Sequence, residues 1–103
     1  MKNVEIFTKS ACRYCEAAKK LLHDRGIMFY EHDIISTSHG REQFKQRFPR
    51  YKTVPQIVID GIHIGGHSHL VEYFKKLDQE AAERIAKEQL IEDTLGGHGD
   101  DFS

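Results

Sequence analysis

Cysteine is scarce in this chain. Its 103 residues hold two, Cys12 and Cys15, which is too few for the disulfide framework that stabilises small secreted domains. A structural zinc site is equally poorly supplied, because it wants four ligands and there is no second cysteine pair to provide them. Long hydrophobic runs are missing too, so no membrane span is expected, and the start, Met1-Lys2-Asn3-Val4-Glu5, breaks its first apolar run with charge, so no signal-peptide core is expected. There is no basic tract or zinc pattern of the kind that marks nucleic-acid binding. Internal repeats are absent, as is any linker that would divide the chain into separate globular domains. With 39% apolar and 30% charged residues the composition is that of a soluble folded chain. A reducing cytoplasm is the expected compartment, where a Cys-x-x-Cys pair is more often catalytic or metal-binding than a static staple.

The near-neutral net charge of −1 conceals an asymmetry. Residues 1–77 carry 13 Lys/Arg and 8 Asp/Glu, a net +5, whereas residues 78–103 carry 2 and 8, a net −6. The front of the chain therefore suits an anionic partner.

What is present centres on Lys9-Ser10-Ala11-Cys12-Arg13-Tyr14-Cys15. Val4–Thr8 reads as a short strand and Glu16–Arg25 as a helix closed by Gly26, so the cysteines sit where a strand becomes a helix. Helix N-termini carry unpaired N–H groups and the positive end of a dipole, which favour an anion at Cys12. Lys9 and Arg13 add positive charge nearby, and such surroundings lower a thiol pKa from about 8.5 into the range of about 3.5–7.5. Cys15, one turn further in, is expected to be less exposed. A nucleophilic thiolate beside a resolving thiol is what disulfide exchange requires.

Further along, residues 27–34 read as a second strand, parallel to the first through a strand–helix–strand crossover. Ser36-Thr37-Ser38 offers caps for a helix over 39–48, with Phe44 and Phe48 on one side. Pro55 precedes a strand and marks an edge, a bulge or a cis bond. Two β-branched runs flanking Asp60-Gly61 predict an antiparallel hairpin with a tight turn at positive φ. Gly65-Gly66 lead into a third helix opening near His67 or Ser68, with Leu70, Val71, Phe74 and Leu77 as its apolar stripe. Residues 79–95 read as a separate fourth helix supported by Glu80–Arg84 and Glu83–Lys87 pairs, and residues 96–103 as a frayed end.

This order, with Cys-x-x-Cys after strand one, Thr53-Val54-Pro55 before strand three and Gly65-Gly66 after strand four, resembles the glutaredoxins over about residues 3–77. The resemblance implies an α/β, thioredoxin-like fold: a four-stranded mixed sheet flanked by helices, here with an extra C-terminal helix, dividing into a domain over 1–77 and an extension over 78–103. It implies a glutathione-dependent thiol–disulfide oxidoreductase that reduces glutathione mixed disulfides and protein disulfides, with ribonucleotide reductase as one candidate substrate, acting as a monomer. Cys12 would attack and Cys15 would resolve. Lys9 and Tyr14 would contact glutathione, Thr53 and Val54 would offer it backbone groups, and Pro55 would be cis. Gly65 and Gly66 would lie under the γ-glutamyl carboxylate.

The chain departs from the family pattern in three places. Arg13 stands where proline is commonest, adding a cation near the thiolate. His67-Ser68-His69 follow Gly-Gly where the family carries acidic residues for the γ-glutamyl ammonium, leaving Ser68 as a helix cap and weak contact. The acidic segment from Asp78 onward outruns a minimal member, either as a solvated helix or as a docking element. Two alternatives stay open: a thioredoxin-like protein-disulfide reductant fed by a flavin reductase, and a carrier, either of a metal held by Cys12, Cys15 and two of His63, His67 and His69 or, as some members of the resembled family do, of an iron–sulfur cluster shared between two chains through Cys12 and glutathione. No resident metal is expected.

Overall fold

Seven elements follow one another in the computed structural model, which describes residues 1 and 3–96, with side-chain surroundings as far as residue 88. They are β1 (Val4–Thr8), α1 (Arg13–Asp24), β2 (Tyr30–Asp33), α2 (Ser38–Arg47), β3 (Gln56–Ile59), β4 (Ile62–Gly65) and α3 (His67–Gly96). Residues Met1–Val71 form one compact unit and Glu72–Ser103 a second.

In the first unit the strands lie in the order β2-β1-β3-β4. β1 runs parallel to β2, with Glu5 opposite Tyr30 and Phe7 opposite His32, and antiparallel to β3. β3 and β4 form the expected antiparallel hairpin. Its turn places Asp60 at φ 50° and Gly61 at φ 81°, the paired positive φ that a two-residue hairpin needs to follow strand twist. β2 is shorter than its sequence pattern, because only Tyr30–Asp33 find ladder partners on β1.

Alternation along β1 sends its side chains to opposite faces. Phe7 joins Phe44 and Phe48 of the α2 region and Val58 of β3 in one buried cluster, its ring 5.3 Å from that of Phe48 in an edge-on arrangement. On the other face Thr8 is buried and its hydroxyl donates to Glu31, which also accepts from Lys19 of α1. α1 turns Cys15, Ala18 and Leu22 inward, residues spaced for one side of a helix. It ends on a Schellman motif: the Ile27 N–H donates to the Leu22 carbonyl and the Gly26 N–H to that of His23, with Gly26 at φ 71°.

α2 is held at both ends. Its cap, Thr37, accepts from the Gly40 N–H at 3.0 Å and donates to the Asp33 carbonyl at 2.7 Å. At the far end Arg47 grips the Glu5 carboxylate with two nitrogens, at 2.7 and 3.0 Å, and the His32 ring reaches the same carboxylate at 3.0 Å. The Arg47 bond, ahead of the opposing effect of burial, holds the Glu5 carboxyl below its ordinary value of 4.5.

The separate fourth helix is not found: α3 runs unbroken from His67 to Gly96. No proline or glycine stands between His67 and Leu95, and Ala, Glu, Lys, Gln and Leu dominate the stretch, so helix propensity carries the turn through Asp78 where a stop was expected. Ser68 is accordingly the second residue of α3 and not its cap. Within the second unit Phe74 is buried and Lys75 pairs with Glu72 at 3.8 Å. Among the described residues the expected Glu80–Arg84 and Glu83–Lys87 pairs do not come within ion-pair distance; exposed charges gain too little from pairing to hold one geometry. The end expected to fray lies, from residue 97, outside the described residues. Among the described residues no helix is long and apolar enough to cross a membrane.

Candidate active site

β1 delivers the chain to the start of α1 through a turn in which Ala11 takes φ 56°, a conformation that costs a non-glycine residue about 1–2 kcal/mol and is seen where the surrounding structure fixes it. Cys12 is then the helix cap, in extended backbone at φ −114° and ψ 107°. Its carbonyl accepts from Glu16 and its sulfur accepts from the Cys15 N–H at 3.2 Å. Cys12 and Cys15 are joined as a disulfide, their Cα atoms 5.2 Å apart. Cys15 is fully buried; Cys12 retains 8% of its surface, and its sulfur stands 3.8 Å from the Val54 carbonyl oxygen. That makes Cys12 less exposed than a helix start suggests, because its sulfur turns under the Val54 carbonyl.

Val54 belongs to the lining of a groove of about 600 Å³. Tyr14 of α1 stands on one side. The segment Thr53-Val54-Pro55, with the Val54–Pro55 bond cis, forms another, and Gly65, Gly66, His67, Ser68 and His69 form a third. Of the residues singled out in the sequence, Tyr14, Thr53, Val54, Pro55, Gly66, His67 and Ser68 thus meet around one groove, with Cys12 at its edge through Val54. Lys9 is exposed and is not part of the lining. The Tyr14 ring, 60% exposed, faces that of His67 at 5.8 Å between centroids.

The start of α3 differs from expectation in one respect. The Gly66 N–H donates to His69 Nδ1 at 3.2 Å, half of the reciprocal arrangement that caps a helix start, so this amide is already engaged. The N–H groups of His67, Ser68 and His69, in the first turn, are the ones a helix leaves without intrahelical partners. At Gly65, with φ 121°, a Cβ would strike the His69 ring, which explains why glycine is needed where β4 passes into α3.

Two groove residues, Gln56 and Tyr51, carried no sequence signal that pointed to the site, and His63, singled out only as a conceivable metal ligand, has another role there. Gln56 is a buried polar side chain, 4% exposed, whose amide nitrogen donates to the Thr53 carbonyl at 3.0 Å. Its oxygen therefore faces His63, whose Nε2 lies 2.7 Å away. The His63 ring packs against Phe48 and Tyr51, at 4.6 and 5.0 Å, and burial holds its pKa below the ordinary 6.5, with His69 adding a smaller push in the same direction. The neutral ring then donates to Gln56, and the pair fixes the Thr53 end of the segment that presents the Val54 carbonyl. With His63 and His69 so engaged, no group of three or more metal-ligating side chains converges among the described residues.

Two sulfurs that can pass between dithiol and disulfide at the mouth of a helix, set on a mixed four-stranded sheet of thioredoxin-like form, make this a thiol–disulfide oxidoreductase. The family model for glutaredoxin matches residues 4–64, more than half of the chain, and the protein belongs to the glutaredoxin family. It is similar to glutaredoxin 3 of Escherichia coli strain K12, with 50% identity over 66 residues covering 64% of this chain and 78% of the relative. A hybrid peroxiredoxin of Haemophilus influenzae is 42% identical over 73 residues, 70% of this chain but 29% of the relative. Among solved structures, a buckwheat glutaredoxin–glutathione complex superimposes with a TM-score of 0.62 at 29% identity, covering 71% of this chain and 68% of that one.

Proposed function

We propose that the protein reduces glutathione mixed disulfides, and protein disulfides, with glutathione as the electron donor. The observation that carries this reading is the Cys12 sulfur, which receives the Cys15 N–H at 3.2 Å and lies 3.8 Å from the Val54 carbonyl at the edge of the groove. In the reduced protein the same N–H and the helix dipole favour the Cys12 thiolate. That thiolate attacks the glutathione sulfur of a mixed disulfide; the old S–S bond breaks, the partner leaves as a thiolate that takes up a proton, and glutathione is left bonded to Cys12. A second glutathione thiolate then attacks its own kind on Cys12, releasing oxidised glutathione and returning the enzyme to the dithiol. With a protein disulfide, Cys15 attacks the Cys12 mixed disulfide instead, and the resulting Cys12–Cys15 bond is reduced by two glutathiones in turn.

The groove suits glutathione because it offers backbone groups on two sides. The Thr53–Val54 segment can pair with its extended peptide, while the first-turn N–H groups of α3 at His67 and Ser68 can take its γ-glutamyl carboxylate. Gly66 contributes shape, since its own N–H serves His69. Tyr14 flanks the sulfur, and Lys9 acts on the anion from outside the groove. A buckwheat relative in complex with glutathione supports this assignment. Ribonucleotide reductase is one protein-disulfide substrate that fits, the reducing cytoplasm is the compartment in which this chemistry would run, and residues 78–103 form an extension outside the domain that performs it.

The test is turnover of a small glutathione mixed disulfide with glutathione and its reductase, against turnover with thioredoxin reductase. We expect activity in the first system and little in the second. Cys12→Ser should abolish it, whereas Cys15→Ser should keep mixed-disulfide reduction and lose protein-disulfide reduction. Equal loss in the two variants would overturn the assignment of roles, and reduction only by the flavin enzyme would overturn the donor.

A further inference from the structure

A second groove, of about 510 Å³, lies beside the first in the same compact unit. Its floor is apolar, with Phe44 and Phe48 contributing the outer side of the aromatic cluster. Ile35 and Tyr51 stand at its edge, 59% and 48% exposed. Around this floor are three cations, Arg41, Lys45 and Lys52, and no carboxylate belongs to the lining. Among the described residues none of the three has a carboxylate within ion-pair distance; the Arg41 guanidinium donates only to the Ile35 carbonyl, at 3.1 Å. Arg47, by contrast, is paired with Glu5. Tyr51 lines both grooves, so the two adjoin at that residue.

We propose that this second groove is the docking subsite for the polypeptide that carries the disulfide, and that it selects a segment combining an apolar anchor with acidic neighbours. The inference rests on the reading of Cys12 as the attacking sulfur and adds the identity of what is attacked. A chain whose cysteine reaches Cys12 continues past Tyr51 on to the Phe44–Phe48 floor. There an apolar side chain removes exposed Ile35 from water, and flanking carboxylates meet Lys45, Lys52 and the free nitrogens of Arg41. A small anion alone would gain nothing from the apolar floor, and a basic segment would be repelled by all three cations. Charge of this kind, placed at a rim, acts on encounter and selectivity.

The experiment uses the full chain and S-glutathionylated peptides in which the modified cysteine is joined, at varied spacing, to a phenylalanine flanked by aspartates or, in a matched series, by lysines. Cysteine–glutathione mixed disulfide serves as the small substrate. We expect kcat/KM for the acidic series to exceed that for the lysine series about tenfold, carried by KM and shrinking with added salt. The double variant Lys45→Glu/Lys52→Glu should reverse the preference, and Ile35→Ser should raise KM for the acidic peptide. Neither should change turnover of the small substrate. Equal handling of the two series by the unmodified protein, or a preference that survives the double variant, would overturn the docking subsite alone. Failure to reduce even the small substrate would overturn the reading of Cys12 and this inference with it.

Discussion

α1 and α2 begin in the same way. In each, the residue before the helix is extended, and its side chain accepts the N–H three positions on: Cys12 from Cys15 at 3.2 Å, Thr37 from Gly40 at 3.0 Å. Thr37 is the usual solution to the problem of unpaired helix-start amides, with oxygen as acceptor. Cys12 places sulfur in the same position. With oxygen the bond serves only stability; with sulfur it also favours the ionised form, and a structural cap becomes a nucleophile. The flanks differ accordingly. α2 is packed so closely that a Cβ on Gly40 would strike the Asp33 carbonyl, and its last turn is tied to Glu5 by Arg47. Cys12 is bordered by a groove.

The largest effect should come from making the two caps alike. Cys12→Ser restores an oxygen cap, so turnover should fall by at least about a thousandfold through loss of the nucleophile, while stability measured under reducing conditions changes by less than about 1 kcal/mol because serine caps as threonine does. A large loss of stability in that variant would break the comparison. Gly40→Ala comes next, expected to cost about 2 kcal/mol by overpacking against Asp33 and Thr37, read by denaturant unfolding, with activity kept. Thr37→Ala should cost about 1 kcal/mol and leave turnover unchanged; a fall in turnover would mean that α2 also positions the groove.

The smallest effect near neutral pH concerns the far end of α2. Glu5 has its pKa lowered from 4.5 in the folded protein, chiefly by Arg47. A carboxyl whose folded pKa is depressed adds stability that is present above its unfolded value and is lost as pH falls through the folded one. Unfolding followed from pH 7 down to pH 3 should therefore show a decline setting in near pH 4.5, shallower in Glu5→Gln. An unchanged slope in that variant would remove Glu5 from the acid limb.

Local signals were the legible ones. The Cys-x-x-Cys turn and the Asp60-Gly61 hairpin depend on neighbours within a few residues and are found where the sequence puts them; the cap of α2 is one of three adjacent candidates, Thr37, and the helix starts at Ser38, one residue before the expected 39. The Glu5–Arg47 pair joins residues 42 apart, and no periodicity announces it. Gln56 reads as the polar start of a strand; only the fold shows that His63 and Thr53 close around it. The continuity of α3 was written in the absence of any breaker before Gly96, but the change in charge at Asp78 suggested a boundary that backbone geometry does not recognise. Gly65 and Gly66 were expected to lie under a ligand carboxylate, and the acceptor that takes the Gly66 amide, His69, stands three residues further on.

The sulfur cap has a consequence for energetics beyond catalysis. If the Cys15 amide favours the Cys12 thiolate, it stabilises the dithiol relative to the crosslinked state, and it can do so only while α1 is folded. Unfolding the chain should then make its disulfide harder to reduce, with the gap between native and denatured redox equilibria reporting how much one backbone dipole contributes to electron affinity. The helix is thereby a tuning element for the couple, and sequence changes in its first turn would move the potential without touching either cysteine.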